Sequence, residues 1–290
     1  MKDLRLITIT LAMMTFVACG PIQRTRQSED TPVRTPETEN LLINLKKVSA
    51  RGFMFGHHDD TNYGIGWEGD EGRSDVKSVC GDYPAVISFD LGHIELGDTM
   101  SLDKVPFTKI RKEILNQYKR GGMSSLSWHL RNPLTGGDSW DVSDTTVVKS
   151  ILPGGANHEK FTGWVSKVSA FINSLQTEEG VKVPVLFRPW HEHTGSWFWW
   201  GEKLCTPEEY KALWHMTVDI LRNDGVNNAL YAYSPGSEPQ DTAQYLKRYP
   251  GDELIDLIGF DTYQFERDTY LANLEKSLAI VDSIGKAHNK

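Results

Sequence analysis

At 290 residues with 39% hydrophobic content, the chain can bury a sizeable core, and it fits one large α/β domain better than two small ones. A net charge of −8, with no dense Lys/Arg run after the first few residues, excludes nucleic acid as an expected partner.

In chain order, residues 1–19 read as an export signal. Lys2 and Arg5 form a basic start, and residues 6–18 supply an apolar run too short to remain in a bilayer as a spanning helix. Phe16-Val17-Ala18-Cys19 resembles a bacterial lipoprotein signal, in which Cys19 becomes the lipidated first residue. Phe16 stands where Leu is usual, so ordinary cleavage and secretion is the alternative. The expected location is the bacterial cell envelope, lipid-anchored on a periplasmic or outer face. Residues 20–40, rich in Pro, Thr, Glu, Arg and Gln, read as a flexible tether, and 41–290 as the barrel domain. Cys80 and Cys205 are then left, either as two buried thiols or as a pair.

A helix is predicted over 41–50 and a first strand over 52–56. His57, His58, Asp59 and Asp60 follow it at once. Four ligand-type residues in a row suggest a metal, but neighbours on an extended segment point to opposite sides and cannot all reach one ion. A polar rim of a ligand cleft is the better reading, and no metal or other cofactor is expected. A short helix near 75–79 and a second strand over 84–89 lead to Asp90, Gly92, His93 and Glu95. The next helix spans 103–120, with Ile110, Ile114, Leu115 and Tyr118 near one face and Gly121-Gly122 as its stop. A third strand over 123–127 delivers Trp128, His129, Arg131, Asn132 and Pro133. The insertion over 134–153, carrying Trp140, is long enough to expect a functional loop.

After a helix over 159–175, the apolar run 183–187 reads as a strand buried on both faces. At its end comes Arg188-Pro189-Trp190-His191-Glu192-His193, then Trp197-Phe198-Trp199-Trp200-Gly201. Four of the nine tryptophans lie here beside a carboxylate, two imidazoles and a guanidinium. Any one of these indoles could be plain core, since buried aromatics are common. Acid, base and cation gathered among them at a strand mouth are costly to bury for packing alone. Sugars present flat C–H faces to indoles and hydroxyls to charged groups, so the composition is that of a carbohydrate site. Further on, Thr206-Pro207-Glu208-Glu209 starts a helix reaching Arg222. A fifth strand over 229–233 ends in Ser234-Pro235-Gly236, a helix covers 242–247, and a sixth strand over 254–260 ends in Asp261-Thr262-Tyr263. A last helix takes 271–287.

Six strand-then-helix units with polar or aromatic residues at each strand's C-terminal end describe an α/β barrel with its site on one face. A doubly wound sheet is the competitor, but no Gly-rich phosphate loop follows the first strand.

Phe55-Gly56-His57, Ser127-Trp128-His129 with Asn132-Pro133, Arg188-Pro189-Trp190-His191-Glu192, Trp197-Phe198-Trp199-Trp200-Gly201 and Gly259-Phe260-Asp261-Thr262-Tyr263 together resemble glycoside hydrolase family 26. Its best-known members are endo-β-mannanases built as (β/α)8 TIM barrels. The resemblance implies that Glu192 is the general acid/base of a retaining double displacement on β-1,4-mannosidic bonds. It also implies that His191, Trp197, His129, Asp261 and Tyr263 bind the sugar, and Trp128, Trp140, Trp200 and His58 are expected with them. Xylan or mixed-linkage β-glucan is the alternative substrate, and a surface lipoprotein that binds glycan without cleaving it is the alternative function. A monomer is expected, with mannan or mannooligosaccharides as partner and the membrane reached through the lipid. Family members carry a nucleophilic Glu on the seventh strand. No residue from Gln264 to Lys290 matches it, so about six β/α units are expected and the chain reads as stopping before that strand.

Overall fold

The structure is a computed structural model that describes residues 33–265 and 267–290. The expected signal, Cys19 and most of the expected tether lie outside the described residues. Among the described residues, no helix is long and apolar enough to cross a membrane.

Six parallel strands form one sheet in strict chain order: β1 (Gly56–His58), β2 (Val86–Asp90), β3 (Met123–Ser127), β4 (Val185–Arg188), β5 (Ala229–Tyr233) and β6 (Leu257–Ile258). The helices are α1 (Pro36–Ser49), α2 (Asp75–Cys80), α3 (Phe107–Lys119), α4 (Val147–Ile151), α5 (His158–Asn173), α6 (Pro207–Asn223), α7 (Thr242–Leu246) and α8 (Arg267–His288). A doubly wound sheet reverses its strand order partway across, and this sheet does not. One-directional winding is the wall of a (β/α)8 barrel, as expected. β1 and β6 each pair on one side only among the described residues.

The middle of the wall is the core. Ile87, Phe89, Leu126, Val185, Phe187 and Leu230 are fully buried. Helix α5 lays Phe161, Trp164, Val165, Val168 and Ile172 against it at helical spacing, and α6 does so with Tyr210, Leu213, Trp214 and Leu221. The start of α6 is the expected one: Thr206 accepts from the Glu209 N–H while Glu209 reaches back to the Thr206 N–H, a reciprocal cap.

Four expectations need correction. The tether does not extend to residue 40, because α1 begins at Pro36. Thr35 caps it, acids fill its first turn, and the Thr35 N–H bonds to Asn227 O at 3.1 Å. The first strand is not 52–56 but Gly56–His58, since pairing with β2 starts only where Gly56 meets Val86. Phe53 and Phe55, expected inside it, are exposed. Helix α3 begins at Phe107 rather than 103, because residues 101–106 fold back in a tight turn with Lys104 in the left-handed region. Both cysteines are free, but only Cys205 is buried; Cys80 ends α2 at the surface. The structure adds a small antiparallel ribbon, Tyr63–Gly64 with Trp67–Glu68, and the helix α4 inside the long insertion.

Candidate active site

The ends of β2 to β6 meet around Glu192. The chain leaving β4 does so through an uncommon backbone: Trp190 and Glu192 both have positive φ, 55° and 54°. Bulky residues avoid this region, and each such residue costs on the order of 1–3 kcal/mol unless its surroundings enforce it. Here they do. The Trp190 carbonyl accepts from Tyr210 Oη (2.6 Å), the His191 carbonyl from Trp200 Nε1 (2.8 Å), and the Glu192 N–H donates to Ser234 O at the end of β5 (2.8 Å).

This turn aims the Glu192 carboxyl into a cavity of about 350 Å³, which Trp197, Glu238, Asp261, Tyr263, Phe265 and Tyr270 help to line. Trp197 Nε1 donates to Glu192 Oε2 at 2.7 Å, and Tyr263 Oη lies 3.5 Å from Oε1. Burial raises the Glu192 pKa above the ordinary carboxylate value, and the negative charge of Asp261 adds to that. The Trp197 bond and the Arg188 charge oppose them without cancelling them. The result suits a proton donor, which must hold its proton near neutral pH.

Asp261 is engaged. Arg188 Nη1 donates to both of its oxygens, at 3.0 and 2.9 Å, and Ser234 Oγ donates to Oδ2. Burial still raises its pKa, with Arg188 opposing.

On the other side of Glu192, His191 and His129 face each other, Nε2 to Nε2, at 3.0 Å. His129 Nδ1 is 2.7 Å from Asp90 Oδ2, and Trp140 stacks on the His129 ring at 5.5 Å and 10°. The loop carrying Trp197 to Trp200 is fixed from beneath by the buried Arg248, which donates to the carbonyls of Glu202 (2.8 Å) and Cys205 (2.5 Å). Gly195 completes the support, because a Cβ there would lie 2.2 Å from the Trp197 ring.

The expected site residues therefore divide. Glu192, His129, His191, Trp197, Asp261, Tyr263 and Trp140 come together. Trp128 and Trp200 do not face a ligand: both are 0% exposed, packed among Phe161, Trp190 and Phe198, with their N–H groups spent on Glu95 Oε2 and His191 O. Each shapes the site from behind. His58 stands at the end of β1, outside the lining of the Glu192 cavity, with Nδ1 2.9 Å from Ser88 Oγ and Nε2 3.3 and 3.8 Å from Asp59 and Asp103. The ligand atoms of that trio lie within 4.8 Å of one another, a grouping reached by one residue from a distant turn rather than by four in a row. Glu238, Phe265 and Tyr270 were not foreseen at the cavity. Glu238 had a signal, since it follows the end of β5 by five residues; Phe265 and Tyr270 had none.

Residues 31–284 match the sequence pattern of glycosyl hydrolase family 26. Among curated proteins, the chain is 37% identical over 236 residues to a mannan endo-1,4-β-mannosidase of Bifidobacterium adolescentis, covering 79% of this chain and 23% of that protein. It is 26% identical over 244 residues to one of Bacillus subtilis, covering 79% and 64%. Among solved structures, a GH26 β-mannanase from Bacteroides ovatus superposes with a TM-score of 0.88 at 63% identity, over 89% of this chain and 75% of that one. A modular endo-β-1,4-mannanase from Cellulomonas fimi does so at 0.82 and 35%, over 90% and 59%. The chain thus spans less than two thirds of the length of these two curated relatives.

Proposed function

The chain belongs to glycosyl hydrolase family 26, and from that premise we propose that the protein cleaves β-1,4-mannosidic bonds within mannan or galactomannan, with Glu192 as proton donor. The observation that carries this reading is the Glu192 carboxyl itself, buried, raised in pKa, held by Trp197 and open to a cavity with aromatic walls. In a retaining reaction a second carboxylate, the nucleophilic Glu of the family that no residue from Gln264 to Lys290 matches, bonds to the sugar carbon as Glu192 protonates the leaving glycosidic oxygen. Glu192 then takes a proton from the water that displaces that carboxylate. Trp197 and Tyr263 form walls against which a sugar ring packs, and the neutral His191, hydrogen-bonded to His129, is packed beside the acid. Cofactors have no part in this reaction scheme.

The test is reducing-sugar release from galactomannan by the wild type and by Glu192→Gln. The expected loss is about 10²- to 10⁴-fold, the usual worth of a positioned general acid. Undiminished activity in the variant sinks the assignment.

A second reading, glycan binding without cleavage, is favoured by one observation: the two other carboxylates on the cavity wall are engaged, Asp261 by Arg188 and Ser234 and Glu238 by Thr194. Mannohexaose binding by calorimetry, with no new reducing ends at high protein concentration, decides for it. Xylan and mixed-linkage β-glucan, assayed in parallel, test the substrate. We also propose that the protein is a monomer anchored in the bacterial envelope through lipid on Cys19; Cys19→Ala is expected to move it from the membrane to the soluble fraction.

A further inference from the structure

Asp90, at the end of β2, is 2% exposed, and its two oxygens meet different kinds of partner. Oδ1 accepts two backbone N–H groups, from Gly92 at 2.7 Å and His129 at 3.2 Å. Oδ2 accepts from Ser127 Oγ at 2.6 Å and faces His129 Nδ1 at 2.7 Å. Gly92 allows the first of these, since a Cβ there would lie 2.9 Å from Oδ1 and 2.8 Å from the His129 carbonyl. Across the His129 ring, Nε2 meets His191 Nε2, and His191 adjoins Glu192.

We infer that Asp90 is a positioning residue: its anion fixes His129 as the Nδ1–H tautomer, so that Nε2 offers a lone pair to the His191 N–H and holds the imidazole beside the proton donor in one orientation. The surroundings support this. Burial alone would raise the Asp90 pKa, but the bond from His129, with the Ser127 and Gly92 bonds, holds it below the ordinary carboxylate range. Burial, with the nearby Arg188 charge, pushes the His191 pKa well down and keeps that ring neutral, so only one of its nitrogens carries a proton. With the Nε2 lone pair of His129 3.0 Å away, His191 satisfies that contact by donating from its own Nε2. The Trp140 stack fixes the plane of the His129 ring, and the carboxylate fixes which edge donates.

The partner geometry makes Asp90→Asn a clean perturbation. Oδ1 is committed to two N–H donors, so the amide nitrogen has to take the place of Oδ2. There it donates to Ser127 Oγ and to His129 Nδ1. Every group around residue 90 stays satisfied, yet the His129 proton moves to Nε2, where it opposes the His191 N–H. An isosteric Asp-to-Asn change that inverts a histidine tautomer leaves the fold in place and removes its catalytic setting.

The measurement is the histidine side-chain ¹H–¹⁵N spectrum of the ¹⁵N-labelled protein, which separates Nδ1–H from Nε2–H, with the His129 signals assigned by His129→Gln. The expected result is Nδ1–H in the wild type and Nε2–H in Asp90→Asn. Ser127→Ala removes a bond to the same oxygen without touching His129, and is expected to keep Nδ1–H. A wild-type Nε2–H signal overturns the inference whether or not the variants fold, and so does a Ser127→Ala spectrum that also inverts. The kinetic consequence rests on the reading of Glu192 as proton donor: kcat on mannohexaose falls on the order of 10- to 100-fold with little change in KM. The spectra need no substrate. If the tautomer inverts in a protein that releases no sugar, the inference stands and the mannanase reading falls; if it does not invert in an active enzyme, the inference falls alone.

Discussion

The middle of the wall and its two flanks are built from the same residue types and end up in opposite states. From β2 to β5 the large apolar side chains are sealed, and the Trp190 indole packs among Trp128, Phe161, Trp199 and Trp200. At the entrance to β1, Phe53 is 89% exposed, and beyond β6, Phe265 is 88% exposed. The candidate site straddles this boundary. Glu192 is fixed on the wall side by the β4 turn, the Ser234 carbonyl and Trp197, while from the flank Tyr263 reaches it at 3.5 Å. The candidate proton donor thus belongs to the well-packed part of the molecule, and part of the aromatic lining of its cavity belongs to the exposed part.

The sharpest way to break this contrast is to truncate one aromatic from each region. Trp190→Ala is expected to cost about 3–5 kcal/mol, the range for a large buried aromatic, and Phe265→Ala to stay within about 0.5 kcal/mol. Chemical unfolding of the two variants measures this; equal losses would mean that the flank is as well packed as the wall.

A smaller effect belongs to Asp59, near the β1 flank. Burial raises its pKa to about 6, against the His58 charge and the Asn62 bond. A carboxyl raised in the folded state gives stability that is complete below its unfolded value and lost as pH rises through about 6. Asp59→Asn is therefore expected to stabilise the protein by about 1–2 kcal/mol at pH 8 and not at all at pH 4. Asn also suits the positive φ of 49° at this position. Melting temperatures at the two pH values decide it, and a gain of equal size at both removes the charge argument.

The smallest effect is expected on the wall itself. Trp197→Phe keeps the ring but removes an N–H that stabilises the Glu192 anion, so the Glu192 pKa rises further. A proton donor works below its pKa, so the alkaline limb of the kcat/KM profile moves to higher pH, with a loss at the optimum below about tenfold. A limb that stays in place would mean that the bond does not control the acid.

Much of the wall was legible because its strands are apolar runs closed by polar ends, and β3 and β5 fall where the pattern puts them. The site was legible as a cluster, since Arg188 to Gly201 concentrates chemistry that packing does not need. What sequence could not tell was direction. Trp140 and Trp197 face the cleft while Trp128 and Trp200 back it, and that difference is set by turns such as the positive φ at Trp190 and Glu192, which no spacing rule encodes. The α1 start was missed for another reason. Thr35-Pro36-Glu37 is the same opening as Thr206-Pro207-Glu208, but it lies among polar residues, and the composition of the tether outweighed the cap. The displaced β1 shows the limit of apolar pattern alone, because an edge strand is placed by its partner rather than by its own side chains.

The two left-handed residues beside His191 have a thermal consequence. A segment held in an unfavourable backbone state stays there only while its anchors hold, among them the Tyr210 hydroxyl, the Trp200 indole N–H, the Ser234 carbonyl and the Gly195 N–H. On warming, the release of any one lets residues 190–192 relax toward ordinary backbone angles while the sheet beneath is still intact. Activity is therefore expected to fall at a lower temperature than the one at which the sheet melts, which residual activity after heating, set against the unfolding curve, would show.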